Sequence, residues 1–136
     1  NTVAGPAMGG VILAYEVARA LGARAIFAEK VEKPEGAEPA MAFKRGFVLR
    51  PGERVLVVED AVTTGGSIRQ VMDAVQAAGG QVVAVGAVVD RSAGTVDFGV
   101  PFKALLTLDV PSYLSGDCPQ CRAGILLVRP KAGGGT

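Results

Sequence analysis

The 136-residue chain contains no histidine and no tryptophan, and only two cysteines. Without histidine there can be no imidazole base, no imidazole metal ligand and no imidazole pH switch. Cys118 and Cys121, in Cys-Pro-Gln-Cys, are too few for a disulfide framework and supply only half of a structural zinc set. A redox pair would be expected at a helix start, and this pair sits in a Pro-rich C-terminal stretch, so reduced thiols or a local disulfide are expected. Charge is nearly balanced, with 14 Lys and Arg against 13 Asp and Glu, so no basic field points to nucleic acid. No apolar run is long enough to span a membrane and no signal peptide is visible, so no membrane partner and a cytoplasmic location are expected.

What is present is a globular composition, 49% hydrophobic and 20% charged, in a length that suits one domain over 1–136. Its tail, 126–136, ends in Gly-Gly-Gly-Thr and is expected to be partly disordered. The chain opens on Asn-Thr-Val-Ala-Gly without a methionine, as if entered within a strand, so an upstream segment is expected.

Strands and helices alternate. A strand end at 2–4 runs into the loop Gly5–Gly10, followed by a helical stripe of Val11, Leu13, Ala14, Val17, Ala18 and Leu21 that stops at Gly22. "AIFAE" (25–29) is a short strand. Residues 30–40 carry charge and two prolines without periodicity, which predicts a mobile loop. "MAFKRGFVL" and "RVLVVE" read as strands joined by a turn at Arg50–Glu53, with Lys44 and Arg45 as surface charges of the first. Ile68, Val71, Met72 and Val75 make a second helical stripe, and "QVVAVGAVVD" (81–90) and "FKALLTLDV" (102–110) are further strands. Continuous apolar strands separated by helices predict an α/β fold, a doubly wound, mostly parallel sheet with helices on both faces.

In such sheets ligands bind beyond the carboxyl ends of the strands. One strand ends there as "VLVVEDAVTTGGS" (55–67), with Glu59 and Asp60 followed by a loop rich in hydroxyls and glycine. Free N–H groups at the following helix favour an anion, Thr63, Thr64 and Ser67 add donors, and Gly65 and Gly66 admit the ligand close to backbone. The loop lacks the Gly-Lys-Ser/Thr ending of a Walker A motif. Two carboxylates beside a phosphate cradle need something that donates hydrogen bonds or brings a cation, and a phosphorylated ribose with magnesium does both. The bland alternative is a pair of solvated strand-end acids.

Glu59–Ser67 resembles the phosphoribosyl diphosphate (PRPP) motif of type I phosphoribosyltransferases. "GPAMGGVILAYEVARALGARAIFAEK", "AFKRGFVLRPGERVLVVED", "VVDRS" and "CPQCRAGILLVRP" resemble the orotate phosphoribosyltransferases within that family, over nearly the whole chain. The resemblance implies transfer of ribose 5-phosphate from PRPP to orotate, giving orotidine 5'-monophosphate and diphosphate in pyrimidine (UMP) biosynthesis. It implies Mg2+ held mainly by substrate oxygens and waters, and a homodimer. Glu59, Asp60, Ala61, Val62, Thr63, Thr64, Gly65, Gly66 and Ser67 match the PRPP-binding positions, with the two acids on the ribose hydroxyls. Thr63 and Arg91 match orotate contacts. Gly5–Gly10, with Ala7, Met8 and Gly9, matches the diphosphate-side loop.

Many family members carry Arg-Lys-x-x-Lys-x-His in the mobile loop, where this chain has Glu29-Lys30-Val31-Glu32-Lys33-Pro34-Glu35. Both lysines match. Lys30 is therefore assigned to the diphosphate side, and Asp60 and Lys33 to catalysis, while the arginine and histidine positions are acidic. The family's N-terminal hood over the base has no counterpart in 1–136, so this stretch alone is expected to be inactive or nearly so and to expose apolar surface. Two other readings stay open. A purine-base phosphoribosyltransferase would share the PRPP loop but differ at "VVDRS", and a non-catalytic nucleotide- or RNA-binding regulator would need neither loop lysine.

Overall fold

A computed structural model describes residues 1–125 except 33, 112 and 115, so Lys33 and the tail 126–136 lie outside the described residues. The elements run β1 (Thr2–Pro6), α1 (Gly9–Leu21), β2 (Arg24–Lys30), β3 (Met41–Phe43), β4 (Arg54–Val62), α2 (Gly66–Ala77), β5 (Gln81–Asp90), β6 (Phe102–Thr107) and α3 (Pro119–Arg122). They form a six-stranded sheet in the order β3-β2-β1-β4-β5-β6, parallel except where β3 pairs antiparallel to β2. Among the described residues no helix is long and apolar enough to cross a membrane.

The period-two alternation of strand side chains divides β4 between two cores. Val55 and Val57 pack with Ile68, Val71 and Val75 of α2, whereas Val58 packs with Ala14 and Ala18 of α1. The helices therefore cover opposite faces, as the doubly wound expectation requires. Gly22, at φ 60°, closes α1 with its N–H on the last-turn carbonyls, a left-handed cap that glycine adopts without Cβ strain. At β6 the cover thins, and Leu105 is 86% exposed.

Several boundaries differ from the sequence reading: β4 runs on through Glu59 and Asp60 to Val62, and β6 stops at Thr107. The loop at Gly5–Gly10 shrinks to Ala7 and Met8, joined by a cis peptide, because Gly5 and Pro6 extend β1 and Gly9 and Gly10 begin α1. A Cβ on Gly5 would meet the Gly10 carbonyl oxygen at 2.5 Å, so this strand-to-helix turn is tight because both residues lack one. The strand expected over "MAFKRGFVL" stops at Phe43. Arg45 (φ 57°) and Gly46 (φ 78°) turn the chain left-handed, so Lys44 and Arg45 belong to a turn and not to a strand. Phe47 and Leu49 are apolar because they close the α2-side core.

At the amino edge of the sheet, Glu53 receives the Arg50 N–H at 2.9 Å, the Thr2 hydroxyl and the Arg24 guanidinium at 3.1 Å. These donors pull its pKa from 4.5 to about 2, the Arg50 backbone bond first and the Thr2 hydroxyl next. A carboxylate depressed in the folded state stabilises the fold above its unfolded pKa, and that stability disappears as pH falls through about 4.5 towards 2. Glu53→Gln is therefore expected to cost about 1–2 kcal/mol at pH 7, and its deficit against the parent should shrink below pH 4.5 and be largely gone only at about pH 2. Urea unfolding at the two pH values checks this; a deficit that is constant with pH would show that the carboxylate charge is not what the network uses.

Candidate active site

The winding direction reverses between β1 and β4. The β1-α1-β2 unit runs towards one edge and β4-α2-β5 towards the other, which leaves a crevice at their shared carboxyl ends. The acid pair, the Thr/Gly loop and the start of α1 come together there. Glu59 is buried at 8% exposure and lines a small hollow with Thr63, Thr64, Gly65, Gly66 and Ser67. Asp60 is exposed, and it lies so close to the start of α1 that a Cβ on Gly9 would meet its Oδ2 at 2.9 Å. The acid pair thus touches both the Thr/Gly loop and the Ala7–Gly9 turn.

The buried end of an apolar strand is a costly place for two carboxyls, and Glu59 shows the cost. Burial first, then the charge of Asp60 and a hydrogen bond between the two side chains, push its pKa up to about 7. A carboxyl raised in the folded state binds its proton more tightly than in the unfolded chain, so stability falls as pH rises from about 4.5 to 7. Glu59→Gln should relieve this and stabilise the fold by about 1–2 kcal/mol at pH 8 with almost no gain at about pH 4. Denaturant midpoints at the two pH values test it; no gain at pH 8 would mean that Glu59 is not strained.

Within the loop, the residues divide by what they present. Val62 is 2% exposed and packs in the core, so its side chain is not part of a ligand site. The Ala61 N–H donates to Asp60 Oδ1 at 2.8 Å. The open donors begin at Thr63, exposed like Thr64 and Ser67. α2 starts after Gly65 with no side-chain cap and no acid in its first turn, which leaves first-turn N–H groups facing the hollow. Gly65 is required twice over: its φ is 77°, and a Cβ would meet the Phe98 ring at 2.8 Å.

Arg91 follows the end of β5 and is fixed by its backbone, its N–H donating to Val62 O at 2.7 Å. Its side chain is exposed and, among the described residues, makes no ion pair. A surface pairing with Asp90 or Asp97 does not occur, because both acids are committed to backbone. Asp90, 2% exposed, accepts the N–H groups of Ser92 at 2.8 Å and Gly94 at 3.1 Å, and Asp97 accepts that of Gly99 at 2.8 Å. Those bonds, with the Ser92 side chain the largest cause, hold the Asp90 carboxyl below its usual range.

The sequence reading missed the residues that lock this segment to the Thr/Gly loop. Arg69, in α2, donates to Asp97 O at 2.7 Å, and its guanidinium lies 5.2 Å over the ring of Phe98, itself against Gly65. Asp-Arg-Ser-Ala-Gly at 90–94 carried a legible hint, since an aspartate before Ser and Gly often turns on its own backbone. Arg69 carried none.

On the β2 side, the Ala7 N–H donates to Ala28 O at 2.8 Å, which ties the turn to that strand. Lys30, placed in the mobile loop by its sequence, is the last residue of β2; it is exposed, and its carbonyl accepts Lys44 Nζ at 2.9 Å. Glu29, at the family's arginine position, is engaged by both Arg45 donors at 2.9 Å. Residues 31–40 contain no helix or strand among those described, and Lys33 lies outside the described set. The cysteines stand apart from the crevice, and their placement corrects the sequence reading: Cys118 directly precedes α3 and Cys121 lies within it, so the pair does open a short helix.

A larger recess, lined by Thr2, Leu21, Arg54 and Val83 among others, sits at the amino edge of the sheet. It holds neither the acid pair nor the Thr/Gly loop, so the chemistry belongs at the carboxyl edge.

Comparison with known proteins supplies the family. The family model for the phosphoribosyl transferase domain matches residues 1–109. The orotate phosphoribosyltransferase of Carboxydothermus hydrogenoformans is 55% identical over 130 residues, 96% of this chain and 65% of that protein. The chain thus spans about two thirds of the length of such relatives. That of Thermotoga maritima is 53% identical over 98% of this chain and 68% of its own length. Among solved structures, orotate phosphoribosyltransferase from Aeropyrum pernix aligns with a TM-score of 0.61 at 27% identity, covering 79% of this chain and 60% of that one. Adenine phosphoribosyltransferase from Thermoanaerobacter pseudethanolicus aligns at 0.65 and 21% identity over 79% of this chain and 70% of its own, a likeness of fold alone. The acid pair, the Thr/Gly loop and the matched length lead to one assignment: this chain belongs to the phosphoribosyltransferase family, and its sequence lies among the members named for orotate.

Proposed function

We propose that the protein transfers ribose 5-phosphate from PRPP to orotate, releasing diphosphate, in UMP biosynthesis. The observation that carries this is the meeting, at one switch point, of an acid pair and an uncapped Thr/Gly loop, with the Arg91 backbone N–H bonded to Val62 O at 2.7 Å beside them. The loop N–H groups with Thr63, Thr64 and Ser67 hold the 5'-phosphate, as a helix start does for anions. Glu59 and Asp60 face the ribose hydroxyls. Displacement at the anomeric carbon builds positive charge on the sugar, which a fixed carboxylate stabilises without reorganising. The Ala7–Gly9 turn and Lys30 lie at the edge where diphosphate departs, and Lys33 is assigned there by its family position. Arg91 and Thr63 read the base.

The donor set suits magnesium carried in with the substrate. Among the described residues no group of three or more His, Cys, Asp or Glu gathers to hold an ion, and Asp60 presents one exposed carboxylate. The ion would rest mainly on substrate oxygens and water and neutralise the diphosphate. A homodimer, a cytoplasmic location and the absence of a nucleic-acid or membrane partner complete the reading. They are supported by the sequence resemblance and by a net charge of +1.

Loss of orotate absorbance with PRPP and Mg2+, measured on the protein expressed from its complete gene, tests the proposal. Orotate consumption that needs both additions is the expected result. Consumption of adenine or hypoxanthine instead would reassign the base, and no consumption of any base would favour a binding protein.

A further inference from the structure

Cys118 and Cys121 take no part in the crevice, yet the structure gives them a defined geometry. Both are free thiols, Cys118 half-buried and Cys121 exposed. The backbone around them is fixed by Cys118 N–H to Leu114 O at 3.0 Å, Arg122 N–H to Cys118 O at 3.0 Å and Ala123 N–H to Pro119 O at 3.1 Å. Residues three apart on a helical turn have Cβ atoms about 5–6 Å apart, and a disulfide needs about 3.5–4.5 Å. Cys118 lies just off that turn, its own backbone extended at ψ 119°, and hydrogen bonding with the Cys121 side chain is among the causes that lower its pKa. The sulfur of Cys118 also receives the backbone N–H groups of Cys121 and Gln120. Pro119 between them has no N–H to offer. These bonds favour the thiolate at Cys118 and the protonated thiol at Cys121.

A metal is the rival occupant. Among the described residues no third histidine, cysteine or carboxylate joins the pair to complete a site. The turn itself buries no residue, so linking the sulfurs displaces nothing from the core.

We propose that Cys118 and Cys121 form a reversible dithiol–disulfide couple that exchanges with disulfides, Cys118 attacking and Cys121 resolving. The Cys118 thiolate attacks one sulfur of an oxidant disulfide, forming a mixed disulfide and expelling the other half as a thiolate. Cys121 then loses its proton to water or to the expelled thiolate and attacks the Cys118 sulfur. This forms the Cys118–Cys121 bond and expels the second half. Two electrons pass from the cysteines to the oxidant, and the two thiol protons end on the released thiols or in solvent.

The test uses reduced purified protein with oxidised glutathione, quenched by alkylation and read by intact mass. In the parent, both thiols should disappear together, giving a monomer lighter by two hydrogens without a lasting glutathione adduct, and dithiothreitol should restore both. Cys121→Ser should trap glutathione on Cys118, and Cys118→Ser should react at Cys121 at least about tenfold more slowly. Equal melting temperatures confirm that both variants fold. The couple is refuted if Cys118→Ser reacts as fast as Cys121→Ser, if the main product is a disulfide-linked dimer, or if zinc added to the reduced protein binds between two chains and shields all the thiols.

Discussion

Asp60→Asn is expected to lower kcat for orotate and PRPP by about 100-fold or more while leaving the fold intact, the scale on which removal of one preorganised electrostatic group is felt. The substitution is gentle everywhere but in charge. Asp60 is exposed, and the hydrogen bond it accepts from the Ala61 N–H at 2.8 Å can pass to the amide oxygen of asparagine. What disappears is the negative charge beside the Ala7–Gly9 turn, where the sugar's positive charge would develop. A second readout separates this from a packing effect. The charge of Asp60 is among the causes that raise Glu59 to about 7, so the pH at which Glu59 titrates should move down in the variant. Unchanged kcat, or a loss matched by a fall in melting temperature, would remove Asp60 from the chemistry.

How much of this could be read without coordinates depended on how local the signal was. Gly22 as a helix stop and β5 over 81–90 are each written in a few consecutive residues and are found where expected. The loop before α2 is shorter than its sequence suggested, because β4 runs on to Val62 and α2 begins at Gly66. The extra length assigned to the strand at 41–49 shows the opposite case. Phe47 and Leu49 are as apolar as strand residues, but their partners lie across the α2-side core, and only the left-handed turn at Arg45 and Gly46 distinguishes the two. In the site, the acids and hydroxyls were legible as chemistry. Their energetic tension was not, since the rise at Glu59 comes first from burial, which is a property of the folded sheet. Arg69 illustrates the limit: its bond to Asp97 O joins residues 28 apart in the chain, and nothing in either neighbourhood announces the other.

That latch frames the second large effect. Arg91→Ala is expected to weaken orotate binding by about 30-fold or more and to leave PRPP binding nearly unchanged, since losing one partner of a desolvated charge pair costs about 2–5 kcal/mol. The guanidinium forms no ion pair among the described residues, and the nearby acids that could have taken it, Asp90 and Asp97, are bound to backbone N–H groups. Truncation therefore breaks no native salt bridge, and any loss is a loss of ligand contact. Orotate offers a carboxylate and a planar ring with amide-like edges, which a guanidinium fork meets with paired, charge-assisted bonds; a lysine cannot reproduce that plane, so Arg91→Lys should recover little. The backbone anchor, Arg91 N–H to Val62 O at 2.7 Å, survives all of these substitutions and keeps the segment in place beside Thr63. Arg69→Met then serves as the control from a distance. It cuts the bond to Asp97 O and the stacking on Phe98 without touching Arg91, so it should loosen the Arg91 segment and raise the orotate Kd by less than Arg91→Ala does. Titrating each variant separately with orotate and with PRPP decides the matter: equal losses for both ligands in Arg91→Ala, or none for either, would place base recognition on other residues.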